Sequence, residues 1–163
     1  AWNMRQKGAW NAKKSRSFKN GPFVTPGTYT AKLTVGNLLL EQPFEIRIDP
    51  RAAEEGITMN TLSEQLVFEN KIIDLLTEAN RLQATIEAAA KETKDKSKKE
   101  DYERLLKQLK NEEGAYPKPV LIAQISYLNY IVGDSDKEIG NDAQERYEEL
   151  AAELKKLKTE SGL

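Results

Sequence analysis

The 163-residue chain contains no cysteine and no histidine. Without thiolate or imidazole it cannot build a Cys/His zinc site, a cysteine nucleophile or a Ser-His-Asp triad. A disulfide scaffold is excluded as well, although this does not fix the redox compartment. Long apolar runs are also missing. None approaches the ~18 residues a membrane helix needs, so no membrane insertion is expected. No signal peptide is visible at the opening Ala1-Trp2-Asn3-Met4-Arg5. Carboxylate chemistry and oxygen-ligated Ca²⁺ or Mg²⁺ remain available.

Hydrophobic residues make up 39% and charged residues 31% of the chain. That balance suits helices with one buried stripe and a solvated outside, around a thin, elongated core. The net charge of −1 hides an uneven distribution. Residues 1–40 hold seven of the 25 basic residues and no acid, leaving 18 basic against 26 acidic groups, a balance of −8, in the remainder. Such asymmetry points to two modules or to an interaction surface.

Residues 28–35 alternate cleanly: Tyr29, Ala31, Leu33 and Val35 on one side, Thr28, Thr30, Lys32 and Thr34 on the other. This predicts a half-buried antiparallel strand. Gly36-Asn37 tolerates the positive φ of a tight hairpin turn. The return strand is predicted from Leu38 to Ile48, with Leu40, Phe44, Ile46 and Ile48 inward and a bulge or an edge position at Pro43. Asp49-Pro50-Arg51 ends the sheet. Trp2 and Met4 alternate with Asn3 and Arg5 as in a short strand, and residues 6–20 read as a polar, basic loop. Pro22 and Pro26 stiffen the approach to the hairpin. Three strands cannot close a β-sandwich. Either the hairpin packs on helices or further strands precede Ala1, and the second arrangement is expected, with residue 1 inside a domain.

From Asn60 onward the pattern turns helical. Asn60 or Thr61 is the expected cap, with Glu64 completing a capping box. Phe68, Ile72, Leu75, Ala79, Leu82, Ile86 and Ala89 follow a 4-3-4-3-4-3 spacing, widened by Ile73 and Leu76. They predict a helix over 61–91, or one bent near Ala79 or Asn80. A solvated connection at 91–99 leads to a helix over 99–111 carrying Tyr102, Leu105, Leu106 and Leu109, broken by Gly114 and Pro117. Pro119 suits the first turn of a third helix, with Leu121, Ile125, Leu128 and Val132 inward and a stop at Gly133-Asp134. The fourth follows Asn141 as cap and carries Ala143, Tyr147, Leu150, Leu154 and Leu157. The fold class is therefore α+β: a partial antiparallel β-sandwich segment over 1–51, a linker over 52–60, and an antiparallel four-helix bundle over 61–160.

The order of these parts carries a resemblance. A tryptophan-bearing strand comes first, then Gly21-Pro22-Phe23-Val24-Thr25-Pro26-Gly27-Thr28-Tyr29-Thr30 and the Leu33-Thr34-Val35 hairpin. A return strand closing on Asp49-Pro50-Arg51 and a helical tail follow. Together they resemble the C-terminal region of bacterial sortilin-type, BNR-repeat β-propeller proteins, many of which carry glycosyl-hydrolase-like names. The match covers nearly the whole chain, although over Leu121–Leu157 it is mostly pattern. The Pro-Gly-Thr-Tyr motif alone also occurs in many immunoglobulin-like and fibronectin-like domains. The basic stretch 11–20 departs from the pattern. The resemblance implies export, a preceding β-propeller of the same protein as partner, and an immunoglobulin/fibronectin-like accessory role. Any catalytic residue would lie in the propeller, so no catalytic, cofactor or metal residue is assigned here.

Trp10, Phe18, Tyr127 and Tyr130 are the candidate ligand or partner residues. Trp2, Trp10, Phe18 and Tyr29 with Arg5, Lys7, Lys13, Lys14, Arg16 and Lys19 have the composition of a nucleic-acid surface. No recognised motif accompanies them, so a solvated loop with a core tryptophan is favoured over nucleic acid. The aromatic β-face could instead stack on sugar rings. Asp134, Asp136 and Glu138 alternate in a loop, but the glycine and closing glutamate of an EF-hand are out of place, which favours a plain helix connection. Glu148, Glu149 and Glu153 are read as solubilising the last helix. The functional expectation is a non-catalytic structural or interaction module of an exported propeller protein, with a homo-oligomer as a further partner. The alternative is a carbohydrate-binding accessory domain, in which a glycan is the partner.

Overall fold

A computed structural model describes residues 2–12, 21–111 and 118–163. The protein is α+β, with one two-stranded antiparallel sheet and five helices among the described residues. In chain order these are β1 (Gly27–Val35), β2 (Leu38–Ile46), α1 (Pro50–Glu54), α2 (Met59–Glu92), α3 (Lys96–Leu109), α4 (Leu121–Val132) and α5 (Asn141–Ser161).

The core is helical. The 4-3 spacing on α2 puts Phe68, Ile72, Leu75, Ala79, Leu82 and Ile86 on one face, and all are buried. They meet Leu105 and Leu109 of α3, Leu121, Ile125, Leu128 and Val132 of α4, and Leu150, Leu154 and Leu157 of α5. Each of these four helices touches the other three. Burying such aliphatic side chains stabilises by about 1.5–3 kcal/mol each. Ile73 is buried and Leu76 packs against the cluster, so the stripe is as wide as expected. The Phe68 and Tyr147 rings meet edge-on at 5.7 Å.

Helix boundaries correct several expectations. Thr58, not Asn60 or Thr61, caps α2: its Oγ1 accepts from Thr61 N at 3.1 Å, and Thr61 Oγ1 accepts from Thr58 N at 3.4 Å. Glu64 instead accepts from Asn60 Nδ2. The helix runs unbroken through Ala79 and Asn80. The connection after it shrinks to three residues, because Asp95 caps α3 by accepting from Ser97 N and Lys98 N. Pro119 precedes α4 rather than entering its first turn. Val120 is the cap position, and its N–H donates to Asn111 Oδ1 at 3.0 Å. Gly133 ends α4 as expected, whereas Gly140, not Asn141, is the cap of α5. The break expected at Gly114 and Pro117 lies outside the described residues. α1 was not foreseen; Asp49 nucleates it by accepting from Arg51 N, with Pro50 in the first turn.

The sheet is a hairpin in continuous register from Gly27↔Ile46 to Val35↔Leu38. Gly36 takes φ 59° at the turn, and no described non-glycine residue except Met4 does likewise. The turn thus needs positive φ only at its first central position, which glycine supplies. Pro43 sits opposite Thr30 with no bulge, at the outer edge of a two-stranded sheet. The strand expected at Trp2–Arg5 is reduced to an isolated bridge, Arg5↔Phe23, because Met4 turns to φ 59°. Gln6 N donates to Pro22 O and Val24 N to Met4 O, so this segment lies directly on Gly21. A Cβ at Gly21 would fall 2.4 Å from the Gln6 and Lys7 carbonyl oxygens, so only glycine permits the approach.

Candidate functional site

The register sets Tyr29 against Phe44, Leu33 against Leu40 and Val35 against Leu38, all on one face. That face was expected to be half-buried. Among the described residues it is open instead, because neither strand packs against a helix. Leu33, Val35, Leu38 and Leu40 are each more than half exposed, as is Leu39 on the opposite face. At the other end of the face the Tyr29 and Phe44 rings stack at 5.9 Å. Trp2 sits against both, 6.0 Å from Tyr29 and 6.1 Å from Phe44, and remains 51% exposed. Tyr29 is fixed by donating from its hydroxyl to Thr25 O at 2.6 Å. The result is an apolar strip with an aromatic end and an aliphatic end. Contiguous exposed apolar surface of this kind marks interaction sites on folded proteins.

The polar face opposite carries Lys32 and Glu41, ion-paired at 2.8 Å in water. An exposed pair of this type contributes little to stability. The hairpin therefore depends mostly on its own ladder, and a lone two-stranded sheet is marginal in water.

Between the base of the hairpin and α2 lies a cleft of about 380 Å³, lined on one side by Phe23, Val24, Ile46 and Ile48 and on the other by Leu62, Leu66 and Glu69. Two carboxyl groups that line it are perturbed in opposite directions: the hydrogen bond from Arg51 holds Asp49 down at about 2, whereas Glu69 is raised. Burial pushes Glu69 up from 4.5 to about 6, Arg5 opposes that shift, and Asp136 adds to it. Arg5 is held in place: it donates to Gly21 O at 2.9 Å and lies 3.7 Å over the Phe23 ring. A neighbouring cleft of about 520 Å³ joins Arg5, Phe23 and Glu69 to Asn129 and Tyr130 of α4. Asn129 Oδ1 is buried there without a hydrogen-bond partner among the described residues.

Of the four candidate residues, Trp10, Tyr127 and Tyr130 fall within the described residues. Trp10 is half-buried against α2, where its N–H donates to Thr77 Oγ1 and its carbonyl accepts from Asn80 Nδ2. It anchors the amino-terminal segment. Phe18 lies outside the described residues, as do Lys13, Lys14, Arg16 and Lys19. Tyr127 and Tyr130, one turn apart on α4, are both 64% exposed, and Tyr130 borders the cleft beside Phe23. Arg5 is engaged by Gly21 and Phe23 within the fold. Among the described residues no group of carboxylates is placed to hold a metal, the Asp134–Glu138 loop included. That loop is organised by Gln65, whose buried amide donates to Val132 O at 2.7 Å and Ser135 O at 2.9 Å. No described helix is long and apolar enough to cross a membrane.

Sequence reading missed Gln65, Glu69 and the openness of the sheet face. The signal for the last was the shortage of strands. Comparison with known proteins adds no assignment: no family model, curated protein or solved structure matches the chain.

Proposed function

We propose that this chain is a non-catalytic structural and interaction module, the C-terminal part of an exported sortilin-type β-propeller protein. Its hairpin is one piece of an immunoglobulin/fibronectin-like sandwich, and its helices form an antiparallel four-helix bundle that carries it. The observation behind this reading is the uncovered apolar strip from Trp2 to Val35 and Leu38, next to a helical core that is already complete. A sheet face of that composition is stable in water when another layer covers it. The preceding propeller-bearing part of the protein is the partner. Leu33→Asp together with Leu40→Asp should abolish docking of this chain onto that part, while helical content is unchanged. Undiminished docking would overturn the reading.

The exposed Trp2–Tyr29–Phe44 cluster favours a second reading, in which the face stacks on sugar rings of a glycan. A glycan array probed with this chain separates the two. Binding that is lost with Tyr29→Ala would replace docking by carbohydrate recognition.

A further inference from the structure

The two outer edges of the hairpin are unequal. In an antiparallel ladder, alternate residues turn their N–H and C=O toward the neighbouring strand or away from it. Proline has no N–H, so Pro43 occupies a position where β2 points outward, and its partner Thr30 points outward too. The turn gives the same phase. Val35 and Leu38 flank its two residues and are the bonded pair, so bonding positions fall on Leu33 and Ala31 in β1. β1 therefore turns the main-chain groups of Thr28, Thr30, Lys32 and Thr34 away from β2. On the far side, β2 does so with Leu39, Glu41, Pro43 and Glu45.

The β1 edge is continuous, whereas the β2 edge is interrupted in its middle by Pro43. Charge separates the edges in the same direction. β2 carries Glu41 and Glu45, while β1 carries only Lys32, already drawn to Glu41 at 2.8 Å. Proline and charge are what natural sheets use to block an edge; β2 has the proline and two charges against a single lysine on β1, so β1 is the less obstructed edge. Among the described residues no backbone group outside the hairpin bonds to the outward positions of β1.

We infer that β1 is the acceptor edge for a strand of the β-structured partner, added along Thr28–Thr34. This rests on the docking reading above and specifies where the partner joins. The incoming segment is extended and apolar on alternate residues, so that it continues the Tyr29–Ala31–Leu33 face. It is neutral or acidic where it lies opposite Lys32. A second copy of this chain fits less well. Pairing two β1 edges would set two open apolar faces side by side and double the uncovered surface, whereas a β-structured partner can bring the layer that covers it.

The probe is a synthetic peptide of the β1 sequence, Gly27–Val35, carrying Thr30→Glu to place a carboxylate opposite Lys32. Saturating peptide should slow amide hydrogen exchange at Thr28, Thr30, Lys32 and Thr34 by about tenfold or more, and leave Leu39, Glu41 and Glu45 unchanged. Lys32→Pro removes one outward N–H and should abolish the effect. Glu41→Pro, on the other edge, should not. Continued protection of the Ala31 and Leu33 amides, which bond to β2, reports that the hairpin of each variant is intact. Slowing on the β2 edge, or none on β1 in the unsubstituted chain, overturns the inference. Protection of β1 that rises with protein concentration in the absence of peptide assigns the edge to a second copy and overturns the proposed occupant. If the Leu33→Asp and Leu40→Asp chain fails to dock while the peptide leaves β1 unprotected, the docking reading stands and the edge assignment falls. The converse pair of results removes the docking reading and with it the proposed occupant, leaving β1 only as an open edge.

Discussion

Leu33 and Leu40 are direct partners across the hairpin, yet they are 57% and 51% exposed. In an ordinary sheet such a pair would face a second layer. Here it contributes little to the folded chain in isolation. Replacing both by aspartate should change the stability of the isolated chain by about 0.5 kcal/mol or less, the usual range for surface substitutions. Thermal unfolding followed by circular dichroism at 222 nm, a wavelength set by helix content, checks this. A large loss would mean that the pair is buried in solution.

The helical core should respond in the opposite way. Ile125 and Leu154 are buried on α4 and α5, within a cluster that all four long helices share. Ile125→Ala or Leu154→Ala should each cost about 2–5 kcal/mol, because a cavity adds to the lost transfer free energy. Urea denaturation would measure it as a lower midpoint at similar slope.

Gln65 joins α2 to the end of α4 through Val132 O and Ser135 O, and its Oε1 accepts from Lys137 N at 3.4 Å. Gln65→Leu keeps the volume but orphans these carbonyl groups. A loss of about 1–3 kcal/mol is expected, the cost of leaving a buried polar group without its partner. Amide exchange should speed up locally over 133–137, and unchanged exchange there would refute the assignment.

Glu69 makes stability pH-dependent in a defined direction. Its folded carboxyl titrates near 6, above the ordinary 4.5, because burial outweighs Arg5, with Asp136 adding to the rise. Asp49, Arg47 and Asp134 also border its clefts. The folded state holds this proton longer than the unfolded chain, so stability falls as pH rises from 4.5 through about 6. The group is partly exposed, so after allowance for solvent screening the change is about 1 kcal/mol. Glu69→Gln should flatten the stability profile over that window and leave the variant slightly more stable than the parent at pH 7. A profile unchanged by the substitution would show that Glu69 titrates normally.

Helix positions were legible because burial follows the 3.6-residue period: the Phe68–Ile86 stripe and the α4 and α5 stripes each fell on the core side. Caps were less so. Thr58 precedes the apolar pattern, and its reciprocal bond with Thr61 uses a hydroxyl where a glutamate was sought. Asn80 read as a weak point of the helix, but its amide holds the Trp10 carbonyl, a contact 70 residues distant in sequence. The hairpin and its turn were legible from alternation and Gly36. What covers the apolar side was not, since alternation identifies a face without specifying its neighbour. The backbone contacts of Trp10 with Thr77 and Asn80 have no counterpart in the local pattern. The site itself was visible only as a deficit of strands.

Docking at the apolar hairpin face can be read by hydroxyl-radical footprinting of Tyr29, Leu33, Leu40 and Phe44, on this chain alone and with the proposed β-propeller partner added. All four should oxidise readily in the free chain and be strongly protected with the partner bound. Equal oxidation in both samples would show that the face is not an interface.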